Sequence, residues 1–396
     1  MTNEYRVAGI SEVVGAPVLT SRFAREIAEP HRPFFGGRTA LATSDLREKL
    51  VPPIGPTITE PGLAERWDAY DDAYRSEARI SRFWAVELEE ATVFPPYGIV
   101  AVGGQLVRDT IRNWKLLQSV FPAGDARELR KAMDSTEARI AAPAVPPAYR
   151  VAGHSCLLGS GLADNYFNWT LRYASGVAHY QALPEVSQLV APPPRKAYVA
   201  DTLEFMGVPQ HQVVHLEAPM IFERLTLVSP MAFGRYEISP LIVPNLREHP
   251  RVTELWRRPG RRLYIPRRKV RMRKVVNEPL VEAALKRLGF EVFDNATRGV
   301  REQVHAFRDA SIVVAPHGAG LSNIVYCDEG TPVVEVVPEG YDQGVTSYRS
   351  LSDMFGLRYT QLFAREAAPD RKGNRCNADI ELDIAELIRV IEGLLP

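Results

Sequence analysis

The second half of the chain shows the clearest hydrophobic pattern, in which short apolar runs alternate with amphipathic segments of helical period. The runs at residues 311–315 and 333–337 are rich in valine and have the length of buried strands. The segments between such runs repeat apolar residues every three or four positions, as helices packed on a sheet do. This alternation indicates a parallel α/β sheet. The predicted elements are strands at 263–265, 290–293, 311–315 and 333–337, and helices at 277–289, 301–308 and 321–327.

The first half is predicted to contain a small β-meander near the N-terminus, followed by another α/β series. Residues 84–94 partly alternate between apolar and polar, and residues 99–102 form a second apolar run after a turn. Residues 165–183 have a helical pattern. Further predicted elements are strands at 155–158, 197–200 and 213–216 and a C-terminal amphipathic helix at 380–395.

The regular pattern lapses around residues 229–256, where prolines are frequent. A chain of 396 residues suggests two domains, at about 150 residues per domain. We therefore predict an α/β protein with a domain linker in this stretch. The predicted divisions are an N-terminal domain at 1–235, a linker at 236–256, a C-terminal domain at 257–378 and a C-terminal helix at 379–396.

Composition narrows the functional classes. Lys and Arg number 48, as do Asp and Glu, and this neutral balance argues against nucleic acid as the main partner. Three widely spaced cysteines without a CxxC pair predict neither a zinc site nor a disulfide framework, and they favour a reducing compartment. The N-terminus has no apolar core of signal-peptide type, and no run approaches about 18 apolar residues. We predict a cytoplasmic protein without a transmembrane segment, and contact with the inner membrane face through a lipid-linked substrate stays open.

The loop His317-Gly318-Ala319-Gly320 follows a predicted strand and opens a predicted helix. Glycines let a ligand approach the backbone closely, and the first N–H groups of a helix are unpaired at its positive end. The loop is therefore a candidate anion site suited to phosphate. A tight structural turn is an equally good interpretation of this position alone. Neither GxGxxG nor GxxxxGK[ST] occurs here.

A dense basic cluster follows the predicted strand 263–265. Ligands of open α/β sheets bind at this end of the strands, and guanidinium groups match phosphate oxygens. A solvated basic surface is the alternative, and we favour a binding role for one or two of the arginines only. The cluster consists of Arg267, Arg268, Lys269, Arg271, Arg273 and Lys274.

Glu335 lies within an otherwise apolar predicted strand. A carboxylate there is costly to bury unless it is hydrogen-bonded, and a bound ribose offers two hydroxyl donors. The alternative is an edge strand with Glu335 facing water. No Asp-x-Asp motif occurs in the chain, and no metal site is predicted.

Together these segments resemble glycosyltransferase family 61 in order and spacing, closely so over residues 262–338, about a fifth of the chain. The family includes bacterial polysaccharide enzymes, plant xylan arabinosyl- and xylosyltransferases and animal O-linked GlcNAc-transferases. The matching pieces are Leu263-Tyr264-Ile265-Pro266-Arg267-Arg268, Arg273, Asn277-Glu278, Leu288-Gly289-Phe290, Gln303, Ala315-Pro316-His317-Gly318-Ala319-Gly320-Leu321-Ser322-Asn323 and Glu335.

The resemblance implies a GT-B-like fold, in which two Rossmann-like domains face each other across a cleft and the C-terminal domain binds the donor nucleotide. It also implies a single inverting displacement without a metal ion. Arg267 and Arg273 would neutralise the departing diphosphate, helped by the N–H groups after His317. Asn323 would orient the loop or the donor, and Glu335 would hold the ribose. The implied donor-site residues are Arg267, Arg268, Arg273, His317, Gly318, Ala319, Gly320, Asn323 and Glu335.

A segment of the first domain resembles the acceptor side of the family more weakly. Family members often carry an Asn-Tyr-Phe-His-Trp-Leu-Leu-Asp-like sequence, and the resemblance implies that its His is the base. Asn168 and Arg172 replace the His and the Asp, and neither accepts a proton near neutral pH. The acceptor-side residues predicted are Asn165, Tyr166, Asn168, Trp169 and Arg172.

An inverting transfer needs a base within hydrogen-bond reach of the acceptor hydroxyl. Asp164, in the loop before the predicted helix, is slightly preferred as the substitute. His154 and His179 are the alternatives.

The leading hypothesis is a metal-independent inverting glycosyltransferase that uses a nucleotide sugar, with a UDP-sugar favoured, and needs no cofactor. Its acceptor is expected to be a growing cell-surface glycan or the lipid-linked precursor. The alternative is a catalytically silent relative that binds a nucleotide sugar or glycan as a scaffold. A nucleotide-sugar epimerase fits the matched motifs less well.

Overall fold

The structure is a computed structural model that describes residues 2–8, 79–80, 85–111, 114–120, 127, 139–143, 149–158, 165–228, 230, 237–239, 241–268, 270–341, 347–368 and 373–395. These residues form two compact units. The N-terminal unit comprises the described residues up to 8 and from 85 to 230, and the C-terminal unit comprises 79–80 and those from 237 onward. No helix within these stretches has the length and apolarity to cross a membrane.

Seventeen strands lie in the described residues. They are β1 Thr2–Ala8, β2 Arg79–Ile80, β3 Ala85–Phe94, β4 Ile99–Val102, β5 Gln105–Val107, β6 Arg139–Pro143, β7 Arg150–Leu158, β8 Gln188–Ala191, β9 Val213–His215, β10 Met220–Val228, β11 Glu237–Ile238, β12 Arg261–Tyr264, β13 Phe290–Val292, β14 Ala310–Pro316, β15 Pro332–Pro338, β16 Arg358–Ala368 and β17 Asp379–Glu381.

The helices of the same residues are mostly short. The α-helices are α1 Trp114–Val120, α2 Tyr166–Asn168, α3 Val177–Gln181, α4 Ala197–Phe205, α5 Ile242–Leu246, α6 Pro250–Thr253, α7 Glu278–Arg287, α8 Val300–Arg308, α9 Ser347–Phe355 and α10 Ile384–Leu394. Trp169–Tyr173 is a π-helix, and 3-10 helices span Arg108–Thr110, Ala174–Gly176, Gln210–Gln212, Asn295–Thr297, Ala319–Tyr326 and Arg375–Asn377.

The sheet of the N-terminal unit is mixed, with strand order β6-β1-β5-β4-β3-β10-β7-β8-β9. Strands β3, β4 and β5 pair antiparallel, which confirms the predicted β-meander. Strands β10, β7, β8 and β9 pair parallel, as the α/β pattern predicts for this half. Buried side chains from both halves, such as Val86, Leu157 and Phe222, share one hydrophobic cluster.

One predicted strand of this unit is wrong. Residues 197–200 begin α4, and the preceding strand is β8, which ends at Ala191. Val199, Thr202 and Leu203 are the buried positions of α4, and their spacing is helical rather than alternating. The short Ala-Tyr-Val-Ala run was too brief to distinguish the two periods.

The sheet of the C-terminal unit has the order β13-β12-β14-β15-β16-β17 and is parallel except at β17. All four predicted strands are present with small boundary shifts, and α7 and α8 confirm two of the predicted helices. Val314 and Val336 of the sheet pack in one core cluster with Val281 of α7 and Ile391 of α10. An α/β class is thus shown for both units.

Two predicted helices of this unit differ from the structure. The C-terminal helix starts at Ile384 rather than 380, because Ile380 is part of β17 and the Asp383 side chain accepts a hydrogen bond from the Glu386 amide. The predicted helix 321–327 is instead the 3-10 helix Ala319–Tyr326.

Candidate anion-binding site

The candidate site lies where the C-terminal sheet changes its direction of growth. In chain order the first five strands of this sheet follow the doubly wound order 2-1-3-4-5, so β12 and β14 are adjacent at the switch point. Ligands of open α/β sheets bind outside the carboxyl ends of the strands at such a point. The loops that follow β12 and β14 carry Arg267 and His317, respectively.

Arg267 joins these two loops. Its Nη1 donates to the His317 carbonyl at 2.9 Å and its Nη2 to the Met272 carbonyl at 2.9 Å. Its backbone amide donates to Oε1 of Glu278 at 3.0 Å, and the same oxygen accepts from the Tyr264 hydroxyl at 3.2 Å. The acid at the start of α7 therefore fixes the loop that presents Arg267.

Gly318 provides the space for this guanidinium group. A Cβ atom at Gly318 would lie 1.8 Å from Nη1 of Arg267 and 3.0 Å from its Cζ. The φ of Gly318 is 173°, which is extended backbone open to any residue. Close approach by Arg267, rather than a special backbone conformation, therefore requires glycine here.

The site concentrates positive charge. Burial first, and the nearby Arg273 second, lower the pKa of Arg267 to about 10, so Arg267 is still cationic at neutral pH. Within the described residues neither arginine pairs with a carboxylate, and both Nε atoms are buried without an acceptor. Arg273 also has a φ of 56°, a left-handed conformation uncommon outside glycine. Two partly buried guanidinium groups with spare donors match an anion.

Backbone amides add to this charge. The 3-10 helix Ala319–Tyr326 begins beside Arg267, and its first internal hydrogen bond joins the Leu321 amide to the Gly318 carbonyl. The amides before Leu321 lie at the positive end of the helix. Asn295 holds the turn by donating to the Gly320 carbonyl at 2.9 Å.

His317 is held by a buried carboxylate. Its Nδ1 hydrogen-bonds to Oε1 of Glu335, which is 0% exposed, and the Tyr359 hydroxyl donates to Oε2 of Glu335 at 2.5 Å. The ring lies 5.3 Å from that of Tyr341 and 5.5 Å from that of Tyr348. Both carboxylate oxygens of Glu335 therefore accept from protein groups inside the sheet, and its contact with a ribose stays a prediction.

Two further predicted donor residues have structural partners. Asn323 is fully buried and donates to Oε1 of Gln303 at 2.8 Å, so it orients the loop rather than the donor. Arg268 is exposed and pairs with Glu282 of α7. Lys269 lies outside the described residues.

The predicted acceptor-side segment is mostly buried. Asn165 caps α2 by accepting from the Phe167 amide at 2.9 Å, and Tyr166 packs edge-on against Tyr198. Trp169 donates from Nε1 to Oγ1 of Thr202 in α4 at 2.9 Å. The buried members of this segment also include Asn168 and Arg172, the latter within the π-helix.

The three candidate bases are not brought together. Asp164 lies outside the described residues. His154 is 4% exposed, lies mid-strand in β7 and bonds through Nε2 to Thr226 at 2.8 Å. Burial lowers the pKa of His154, which keeps it neutral. His179 in α3 is 0% exposed.

Sequence reasoning missed the tyrosines of the site. Tyr348 of α9 donates to the Gly318 carbonyl at 2.6 Å, and Tyr359 of β16 reaches Glu335. Both lie beyond the motif region, and no local pattern distinguishes them from core tyrosines. The structure therefore adds two hydroxyl groups to the loop and its carboxylate.

Comparison with known proteins agrees with this geometry. Residues 143–334 match the family model described as Glycosyltransferase 61. Alpha-1,3-arabinosyltransferase XAT3 from Oryza sativa subsp. japonica is 26% identical over 167 residues. That alignment covers 38% of this chain and 28% of the rice protein, so the chain matches little more than a quarter of the relative's length. The region 143–334, which contains the anion-binding loop, is therefore similar to glycosyltransferase family 61.

Proposed function

We propose that this protein is a glycosyltransferase whose C-terminal unit binds the diphosphate of a nucleotide-sugar donor. The observation that carries the proposal is the pair of partly buried guanidinium groups, Arg267 and Arg273, at the switch point of a doubly wound sheet. Arg267 lies beside Gly318, where the following helix begins. A diphosphate supplies the charge and the acceptors that these donors lack.

The finer chemistry belongs to the same proposal. The two guanidinium groups stabilise negative charge on the departing diphosphate, so the transfer proceeds without a metal ion. We further propose a UDP-sugar donor, a single inverting displacement, and a GT-B arrangement in which the N-terminal unit binds the glycan acceptor. A cell-surface polysaccharide or its lipid-linked precursor is the acceptor class, with the protein in the cytoplasm or at the inner membrane face.

A second function, silent binding of a nucleotide sugar, has one observation in its favour. Asn168 and Arg172 occupy the positions where the family sequence has a histidine and an aspartate, and both are buried. His154 and His179 are buried as well. Within the described part of the N-terminal unit, these candidate bases are thus shielded from an acceptor.

Turnover separates the two functions. The protein is incubated with nucleotide sugars and glycan acceptors, including UDP-arabinose because the rice relative is named an arabinosyltransferase. Acceptor-dependent nucleotide release that persists in EDTA supports a metal-independent transferase. Donor binding by calorimetry without turnover of any panel member supports silent binding, and the absence of both contradicts the proposal.

The role of Arg267 is tested by Arg267→Ala. Losing one charge-assisted contact to phosphate costs about 1.5–3 kcal/mol, so donor affinity should fall about 10- to 150-fold. The matched control is Arg271→Ala, which removes the same charge from an exposed position of the same loop. Equal donor affinity in both variants would remove Arg267 from the site.

A further inference from the structure

Exposed apolar side chains are concentrated beside the anion site. Among the described residues, five large hydrophobic side chains are exposed, and three of them fall within the nine residues 272–280. They are Met272, Val276 and Leu280, which are 39%, 52% and 63% exposed. Single exposed apolar residues are ordinary on a protein surface, whereas a cluster of them marks an interaction surface.

The local backbone keeps these side chains outside the core. Val275 is buried and forms a parallel bridge with Ile380, whose carbonyl accepts from the Val276 amide at 2.9 Å. Because side chains alternate along an extended chain, Lys274 and Val276 point to the side opposite Val275. Leu280 is an exposed position in the first turn of α7. The exposure of these apolar groups therefore follows from the way the segment is attached to the unit.

Positive charge surrounds the same apolar side chains. Residues 267–277 contain six basic residues and no acidic one, although the whole chain has equal numbers of the two. Arg271 and Lys274 are exposed, and each lies within two residues of an exposed apolar side chain. Arg268 adds less to this charge, because it pairs with Glu282. We call residues 270–280 the basic-apolar segment.

The composition of the basic-apolar segment fits an anionic bilayer better than another protein. At a membrane interface, basic side chains contact lipid phosphates while neighbouring apolar side chains enter the boundary between headgroups and acyl chains. Protein interfaces are instead enriched in aromatic residues and depleted of lysine. In this segment no aromatic residue occurs, and basic and apolar residues are interleaved, as in Arg271-Met272-Arg273-Lys274-Val275.

We propose that the basic-apolar segment docks the C-terminal unit onto a bilayer that contains anionic phospholipids. Nη2 of Arg267 donates to the Met272 carbonyl, so the segment is attached directly to the anion site. Docking therefore places the anion site close to the membrane surface, where the headgroup of a lipid-linked acceptor lies. The inference rests on the proposed function for this acceptor, whereas the docking itself does not depend on it.

Co-sedimentation of the full chain with lipid vesicles tests the docking. Vesicles of phosphatidylcholine are compared with vesicles in which about 30% of the lipid is phosphatidylglycerol, which gives a negative surface potential. The wild type should bind the anionic vesicles about tenfold more strongly. Raising the salt from about 0.1 M to about 1 M should remove most of this preference, because the Debye length falls from about 10 Å to about 3 Å. Equal binding to both kinds of vesicle, or binding to neither, overturns the proposal.

Substitutions separate the contribution of charge from that of apolar contact. Arg271→Ala removes one exposed charge and should weaken binding to anionic vesicles about fivefold. Val276→Ser combined with Leu280→Ser should weaken it about tenfold, because apolar area no longer leaves water. Leu280→Trp should retain or strengthen binding, since tryptophan favours membrane interfaces. Tyr149→Ser removes an exposed ring from the N-terminal unit and should bind as the wild type does.

The results distinguish this inference from its alternatives and from the proposed function. Undiminished vesicle binding by the double serine variant would mean that charge alone is recognised, as by an acidic protein, and would overturn the proposal. Arg271→Ala and the double serine variant should keep the wild-type affinity for UDP-arabinose in calorimetry, which also shows that they are folded. Donor binding without vesicle binding by the wild type overturns the docking alone. Vesicle binding without binding of any nucleotide sugar overturns the proposed function and leaves the docking in place.

Discussion

At the scale of single residues, the site depends on close packing between groups of the protein itself rather than on unusual chemistry. Gly318 shows this most directly, because the Arg267 guanidinium occupies the position that a side chain at Gly318 would need. Glycine in a phosphate-binding loop is commonly explained by the approach of the ligand. Here the approaching group is the protein's own cation.

Gly318→Ala should therefore weaken donor binding through Arg267. The added methyl group must displace Nη1, which breaks its bond to the His317 carbonyl, so we expect at least a tenfold loss of affinity for UDP-arabinose, comparable to the loss of one charge-assisted bond. Calorimetry at fixed pH measures it. Gly299→Ala is the matched control, since its φ is −65° and a Cβ there meets nothing within 4 Å. Unchanged affinity in Gly318→Ala would mean that the observed position of Arg267 is not needed for binding.

At the scale of elements, α7 supports the site through its first residue. Oε1 of Glu278 accepts from the Arg267 amide and the Tyr264 hydroxyl, and Tyr264 is fully buried in the core. The pair Asn277-Glu278 is thus part of the matched motif for a structural reason. The side-chain amide of Asn277 makes no capping bond, but donates to the Leu382 carbonyl and accepts from the Leu382 amide.

Glu278→Ala should lower both stability and donor affinity. It leaves the buried Tyr264 hydroxyl without its acceptor, which costs about 1–3 kcal/mol, and it frees the Arg267 loop. Denaturant unfolding and donor calorimetry measure the two effects. Glu302→Ala offers the comparison, because Glu302 is also an acid in the first turn of a helix but forms only an exposed pair with Arg298. Equal losses of stability in the two variants would contradict the support assigned to Glu278.

Local pattern was sufficient for strands β12 to β15 and for helices α7 and α8, but not for β16, β17 and α9 or for the side-chain partners in the site. The valine-rich runs of β14 and β15 are interpreted as buried strands, because a buried parallel strand is apolar on both faces. The hydrogen-bond partners of Glu335 could not be predicted from the sequence in the same way. His317 and Tyr359 lie far from Glu335 in the sequence, and only the strand order of the sheet brings them into contact with it. The strand predicted at residues 197–200 is wrong for the opposite reason. Its four small or apolar residues fit both the period of a strand and that of a helix, and only the buried Leu203 distinguishes the two.

At the scale of the whole molecule, binding of the donor alone should stabilise the C-terminal unit and leave the N-terminal unit unchanged. A ligand present at about 100 times its dissociation constant stabilises the state that binds it by about 2.7 kcal/mol. With UDP-arabinose alone, hydrogen exchange should slow in residues 265–273 and 317–321 and stay unchanged in β7, β8 and β9. Mass-spectrometric exchange with and without donor tests this. Protection confined to the N-terminal strands would place the nucleotide in the wrong unit.

The strand order of the C-terminal sheet also determines when this site comes into existence. Its residues run from Arg267, after the first strand of the sheet, to Tyr359, on the last of the parallel strands. A nascent chain that has emerged only as far as Gly320 already carries both arginines and the loop but lacks the strand that holds the ring. The candidate site is therefore completed late in synthesis, only when β15 and β16 have joined the sheet.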